Sequence, residues 1–165
     1  MKNKDLSLKT ALRLSHELLH WYSQHRRDLP WRQEPTPYRV WISEMMLQQT
    51  QVDRVIPYFQ NWMRVFPEVT AVARADQDAV LKAWEGLGYY SRARNIHQAA
   101  QTICTGFSGH FPQDVRTLLT LPGIGPYTAA AIASLAFNRP EPVVDANVRR
   151  VMARLLDIDT PVTAT

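Results

Sequence analysis

The chain has 165 residues, 45% of them hydrophobic and 21% charged, with a formal net charge of +4. That balance excludes general disorder and allows one domain with a buried core. No apolar run is long enough to span a bilayer, and a single cysteine, Cys104, leaves no disulfide framework and no cysteine metal cluster within the chain.

The cationic excess suits a polyanionic partner without proving one. Met1 to Lys9 is polar and lysine-rich with no apolar stretch ahead of a cleavage site, so the expected location is inside the cell. Ser7 caps a first helix with Leu8, Leu12, Ser15, Leu19 and Tyr22 along one face. A basic loop, Arg26 to Arg32, follows. Thr36-Pro37 reads as an N-cap and first helical residue, opening a second helix through about Gln49. A third runs from about Gln51 to Val65, bent or restarted near Pro57. Thr70 and Asp76 are expected to cap two shorter helices, the second ending at Gly86. Tyr90 to Thr105 is the next, with Ile96, Ala99, Ala100 and Ile103 on its buried side and Cys104 expected among buried residues. After Pro112 come a short helix to about Thr120, the turn Leu121-Pro122-Gly123-Ile124-Gly125, an alanine-rich helix from Pro126 to Phe137, and a last helix from Ala146 to Leu156. The expectation is one compact all-α bundle.

Four features carry chemistry. Two glycines two residues apart, Gly123 and Gly125, permit a tight hairpin with a closely approachable backbone. Pro126 then leaves neighbouring N–H groups at the positive end of a helix, where a phosphate binds without a cationic side chain. An ordinary glycine-capped turn explains a lone Gly-Ile-Gly equally well. The full run Leu-Pro-Gly-Ile-Gly-Pro-Tyr-Thr-Ala favours DNA. Glu44 is the second feature, with Val40, Trp41, Leu47 and Gln48 one turn away. Desolvation there would suit a general acid, whereas periodicity alone leaves the carboxylate at the stripe edge with its head in water. Asp145 is the third; it reads as an N-cap with Asn147 in the first turn, and a cap carboxylate beside a site can also stabilise a developing cation. The fourth is the aromatic and basic set Trp31, Arg32, Gln48, Gln49 and Gly86 to Tyr90, suited to wedging a duplex and holding an extruded base. Trp21, Trp62 and Trp84 are assigned to the core. Arg149, Arg150 and Arg154 form a solvated face that can meet phosphates.

These stretches together resemble the helix-hairpin-helix base-excision glycosylase superfamily and, within it, the MutY-type adenine glycosylases. The carrying motifs are Leu-Pro-Trp-Arg at 29–32, Pro-Tyr-Arg-Val-Trp-Ile-Ser-Glu-Met-Met-Leu-Gln-Gln-Thr-Gln-Val at 37–52 and Trp-Glu-Gly-Leu-Gly-Tyr-Tyr-Ser-Arg-Ala-Arg-Asn at 84–95. The hairpin at 121–128 and Val-Asp-Ala-Asn-Val-Arg-Arg-Val at 144–151 complete the set.

The resemblance implies an all-α helix-hairpin-helix glycosylase fold: a six-helix-barrel module over 29–137, with the hairpin at 114–137, and part of a second helical lobe. That lobe takes the N-terminal helix within 1–28, and 138–165 holds the catalytic-aspartate loop and its following helix. Glu44 matches the glutamate that protonates adenine, Asp145 the aspartate that stabilises the oxocarbenium-like sugar, and Asn147 its supporting asparagine. Tyr127 stands where lyase-type relatives carry a nucleophilic lysine, so base removal without Schiff-base strand cleavage is expected. Trp31, Arg32 and Leu47 match the lining of the base pocket. Gln48, Gln49, Leu87, Gly88 and Tyr89, the hairpin residues Gly123, Ile124, Gly125, Tyr127 and Thr128, and Arg149 are the expected DNA contacts. The implied partner is double-stranded DNA with an adenine mispair, met by a monomer on the chromosome. The family's four-iron four-sulfur cluster belongs to a C-terminal part that is not in this sequence, so no metal ligands are expected here. Ala146 stands where the family usually has glycine. Two other readings remain open: a glycosylase of thymine-removing or endonuclease III-like specificity, the second of which Glu44 argues against, and a DNA-binding module without catalysis.

Overall fold

The computed structural model describes residues 7–159, and among them the regular structure is helical throughout, with no strand. The chain divides into two units. One is residues 29–143; the other joins the N-terminal residues to 28 with those from 144 onward.

Unit 29–143 contains α2 (Pro30–Gln33), α3 (Pro37–Leu47), α4 (Val52–Val65), α5 (Val69–Arg74), α6 (Gln77–Ala83), α7 (Ser91–Gly106), α8 (Val115–Leu118) and α9 (Pro126–Phe137). The stretch Pro30–Gln33, read as loop from sequence, is a single helical turn. Thr36 accepts from the Arg39 amide at 3.3 Å, which starts α3 where the sequence places its cap. Helix α4 runs unbroken through Pro57, so the expected restart does not occur; Pro57 removes one ladder donor and the helix continues around the buried Val55, Phe59 and Trp62. Thr70 lies inside α5 and bonds Glu68, which holds the N-cap position, and Asp76 precedes α6 without a side-chain cap bond.

The core is built on α3, α4, α7 and α9. Trp41, Trp62, Trp84, Phe59, Ile42, Met46, Ile96, Ile103 and Ile132 are fully buried. Trp62 meets Trp84 edge-on at 5.7 Å, and its Nε1 donates to the Tyr38 hydroxyl, which donates in turn to the Phe66 carbonyl. Burial pushes the Tyr38 phenol above its ordinary pKa. Buried Ala129 and Ala133 keep one face of α9 small, and α3 packs there. Helix α7 packs on both α5 and α6.

The second unit holds α1 (Leu8–His25) and α10 (Ala146–Leu155) among its described residues. Ser7 caps α1 as expected. Neither helix has a buried residue, and Leu12 and Leu19 of the predicted apolar face are exposed. Trp21, assigned to the core from sequence, is 54% exposed and stacks on His25 one turn away.

Candidate functional site

Helix α2 is set in place from two directions. Arg39 donates to the Pro30 carbonyl at 2.9 Å while its guanidinium lies over the Phe59 ring at 5.4 Å. Trp31 meets the same Phe59 edge-on at 5.3 Å and is buried, while Arg32 beside it is exposed. Glu44 and Leu47 sit one turn apart on α3, both half-buried, among the buried Ser43, Met45 and Met46. The glutamate therefore starts from a helix stretch otherwise given over to the core.

The end of α3 and the loop after α6 are joined by a residue that sequence reasoning missed. Arg92, only 6% exposed, reaches back from the first turn of α7. Its Nη1 donates to the carbonyls of Met45 (2.7 Å), Met46 (3.2 Å) and Gln48 (2.8 Å), and its Nη2 to those of Leu87 and Gly88 (3.2 Å each). The guanidinium also lies over the rings of Trp84 and Tyr89. Its charge meets the negative end of α3, where terminal carbonyls lack intrahelical donors. Burial lowers its pKa from the ordinary arginine value. The signal was available: residues 92, 96, 99 and 103 share one face of α7, which puts an arginine in line with an apolar stripe. On the other side of the loop Arg54 donates to the Gly86 carbonyl at 2.5 Å. Gln48, Gln49 and Tyr89 are exposed in this assembly. The side chain of Leu87 is buried in the core instead of projecting as a wedge, because it packs beneath the loop that Arg92 draws inward.

The hairpin begins at Asp114, whose carboxylate accepts from the Thr117 amide (2.9 Å) and hydroxyl (3.0 Å) to start α8. Those bonds hold its pKa below the usual carboxylate range. Backbone bonds from Leu121 to Leu118 and from Ile124 to Leu121 close the turn. Gly123 has φ +74°, and a Cβ there would lie 2.5 Å from the Asn95 Cβ, so no larger residue fits. Ile124 and Thr128, expected as DNA contacts, have buried side chains that anchor the hairpin to the core. Gly125 is the N-cap of α9 and Pro126 its first residue; a Cβ on Gly125 would meet nothing within 4 Å. Tyr127 is half-buried in that first turn.

Asp145 and Asn147 belong to the other unit. Asp145 is the N-cap of α10, its Oδ1 accepting from the Val148 amide at 2.7 Å. Asn147 donates to Asp145 Oδ2 at 3.1 Å and accepts from Arg150 at 3.0 Å, so one carboxylate is both a cap and the centre of a short side-chain chain. Ala146 is the first helical residue and does not have positive φ, so its methyl group is accommodated. Arg149, Arg150 and Arg154 line an open groove along the helix.

Among the described residues no group of three or more His, Cys, Asp or Glu is placed to hold a metal. Cys104, expected to be buried, is half-buried beside Thr70 and Arg74, because it lines a cavity at the end of α7. As the only cysteine of the sequence it does not fit a four-cysteine cluster.

A glycine hairpin running into a helix N-terminus, with a half-buried carboxylate on a neighbouring helix, defines a helix-hairpin-helix protein. The family model described as "HhH-GPD superfamily base excision DNA repair protein" matches residues 42–164, and the chain belongs to that superfamily. It is 44% identical over 98% of its length to an adenine DNA glycosylase of Mus musculus and 45% identical over 92% to that of Homo sapiens. With that of Mycolicibacterium smegmatis it shares 49% over 84%. It spans 33%, 29% and 47% of those relatives respectively, so it matches less than half of each. Among solved structures it is similar to a thermostable thymine-DNA glycosylase, with TM-score 0.83 and 28% identity over 90% of this chain and 69% of that one. An endonuclease III–DNA complex shares the fold at TM-score 0.77 and 23% identity, covering 92% of this chain and 70% of that one.

Proposed function

We propose that this chain carries the base-removing chemistry of an adenine DNA glycosylase, hydrolysing the N-glycosidic bond of adenine paired with 8-oxoguanine or guanine in duplex DNA. The observation that carries this reading is 42–49% identity, over most of the chain, to relatives named adenine DNA glycosylase. In the proposed mechanism Glu44 protonates the adenine ring, which turns the base into a neutral leaving group. As the bond to the sugar breaks, positive charge develops on the sugar, and the Asp145 carboxylate stabilises it. The amide of Val148 and the side chain of Asn147 hold that carboxylate in one orientation, so little reorganisation accompanies the reaction. Water completes the hydrolysis. Tyr127 offers no amine for a Schiff base, so the strand stays intact until alkali cleaves the abasic site.

Trp31, Arg32 and Leu47 line the pocket for the extruded adenine. Gln48, Gln49, Gly88 and Tyr89 face the opened base pair, with Leu87 packed beneath them in the core. The backbone of Gly123 to Gly125 and of the first turn of α9, beside Tyr127, takes a strand phosphate, and Arg149 takes another. The protein acts as a monomer on chromosomal DNA inside the cell. No step requires a metal.

A single-turnover assay, with protein in excess over a duplex containing one 8-oxoguanine·adenine pair, tests the reading. Alkali-dependent cleavage at adenine is expected. Glu44→Gln should lower that rate by about 10²-fold or more, the contribution of a positioned general acid, while duplex binding persists. Equal rates for the two proteins would sink the assignment. The likeness to a thymine-DNA glycosylase favours one competing reading, so a guanine·thymine duplex is run in parallel. Cleavage there and not at adenine would replace adenine by thymine as substrate.

A further inference from the structure

Among the described residues five non-glycine positions have left-handed backbone, and two of them, Gln49 (φ 58°) and Tyr89 (φ 47°), share an unusual support. Each directly follows a carbonyl held by the same guanidinium: Gln48 precedes Gln49 and Gly88 precedes Tyr89, and Arg92 donates to both carbonyls. Left-handed backbone is unfavourable for residues with a Cβ and persists where the surroundings over-determine it. Helix α3 thus ends on a left-handed glutamine, where glycine is the usual choice, with its last carbonyls capped by a side chain from α7. Gln49 and Tyr89 are both exposed, Tyr89 by 65%, and they lie on segments 40 residues apart in sequence.

We propose that Arg92 is a positioning residue that holds Gln49 and Tyr89 as one rigid pair, and that discrimination of a mispaired duplex from a fully paired one depends on this buried guanidinium, which itself touches no DNA. The inference rests on the proposed function only in taking this face as the one that meets the base pair. A guanidinium is needed because its two terminal nitrogens diverge in a fixed plane, one serving α3 and the other the 87–88 loop. A lysine ammonium keeps the charge but gathers its donors on one nitrogen and cannot span both segments. No carboxylate pairs with Arg92 among the described residues, so its bonds are directed at backbone alone.

The test compares the parent chain with Arg92→Lys, with the double variant Gln49→Ala/Tyr89→Ala, and with all three changes combined. Affinity is measured for an 8-oxoguanine·adenine duplex and for its fully paired counterpart. Unstacking is read from the fluorescence of 2-aminopurine placed beside the pair. Arg92→Lys is expected to lower the mispaired-to-paired affinity ratio by about tenfold, the size of effect seen when coupled residues lose their partner. The 2-aminopurine signal should fall to the level of the double variant, and adding the double variant's changes should lower neither quantity further. The salt dependence of binding should keep its slope, because no phosphate-facing cation has changed.

Additive losses, an unchanged ratio in Arg92→Lys, or a parent that unstacks neither duplex would each overturn the proposal. If Arg92→Lys does not fold, nitrogen NMR of the parent decides. Separate, slowly exchanging Nη signals that persist in the DNA complex support the holding role, and their collapse on binding overturns it. Adenine release is scored separately. A parent that discriminates through Arg92 but releases no adenine would refute the proposed activity and leave this inference standing, whereas release with discrimination unaffected by Arg92→Lys would refute this inference alone.

Discussion

The hairpin at 121–125 enters the left-handed region on a glycine alone, whereas the paired turns at 48–49 and 87–89 also place Gln49 and, next to the left-handed Gly88, Tyr89 there. In the hairpin Gly123 takes φ +74° with no Cβ to resist it, and Asn95 closes over the space a side chain would fill. At the paired turns Gln49 and Tyr89 adopt similar angles despite their side chains, against a penalty of about 1–2 kcal/mol each. Five hydrogen bonds from Arg92 hold the adjoining backbone in place. A turn that has only to be tight and approachable is made from glycine. A turn that has also to present a side chain is held from elsewhere in the fold, here by a buried cation.

Substitutions break or sharpen this contrast, and the largest effect falls on the hairpin. Gly123→Ala should lower stability by about 2–4 kcal/mol in urea unfolding, combining left-handed strain with overpacking against Asn95. Gly125, two residues on, has ordinary extended backbone and open space around it. Gly125→Ala should therefore lower stability by no more than about 0.5–1 kcal/mol, the difference between glycine and alanine as an N-cap. If the two glycines prove equally sensitive, the steric account of the hairpin is wrong.

Gln49→Gly is expected to change stability in the other direction, from no change to a gain of about 1 kcal/mol, because glycine relieves the left-handed strain. The same change should weaken selection of a mispaired duplex, so stability and discrimination would move oppositely. A clear loss of stability would show that the glutamine side chain supports its own turn.

The smallest effect is at Asp114. Its pKa is depressed in the folded chain, so its cap contributes stability above the ordinary carboxylate range and loses it as pH falls from there through the lowered folded pKa. Asp114→Asn keeps a good cap at neutral pH and should flatten the acid limb of a stability–pH curve. An acid limb of unchanged shape would remove Asp114 from the account.

Much of the site could be read along the chain because its signals are local. Thr36-Pro37 starts α3, Ser7 starts α1 and Asp145 starts α10 where the residue types say they should, since a cap needs only its next few neighbours. The two hairpin glycines are equally local. Arg92 was not read as buried, although its spacing with Ile96, Ala99 and Ile103 places it on the apolar face. An arginine there is ordinarily assigned to the stripe's edge, and its carbonyl partners lie as far as 47 residues back. Trp21 failed in the opposite sense: a tryptophan is a reasonable core residue by type, yet exposure depends on what packs against it. The same holds for Leu12 and Leu19, whose periodicity marks an apolar face and does not say what covers it.

By itself, then, the sequence determined the all-helical class, the caps at Ser7, Thr36 and Asp145, the tightness of the hairpin and the motif set that places the chain in its superfamily. All of these depend on hydrogen bonds and steric limits within a few residues, or on matching residue types. Only the tertiary structure decided which side chains are withdrawn from water, that Leu87, Ile124 and Thr128 serve the core, and that one guanidinium ties two distant turns together. Burial and long-range hydrogen bonding are properties of pairs brought together by folding, and no window along the chain contains both members.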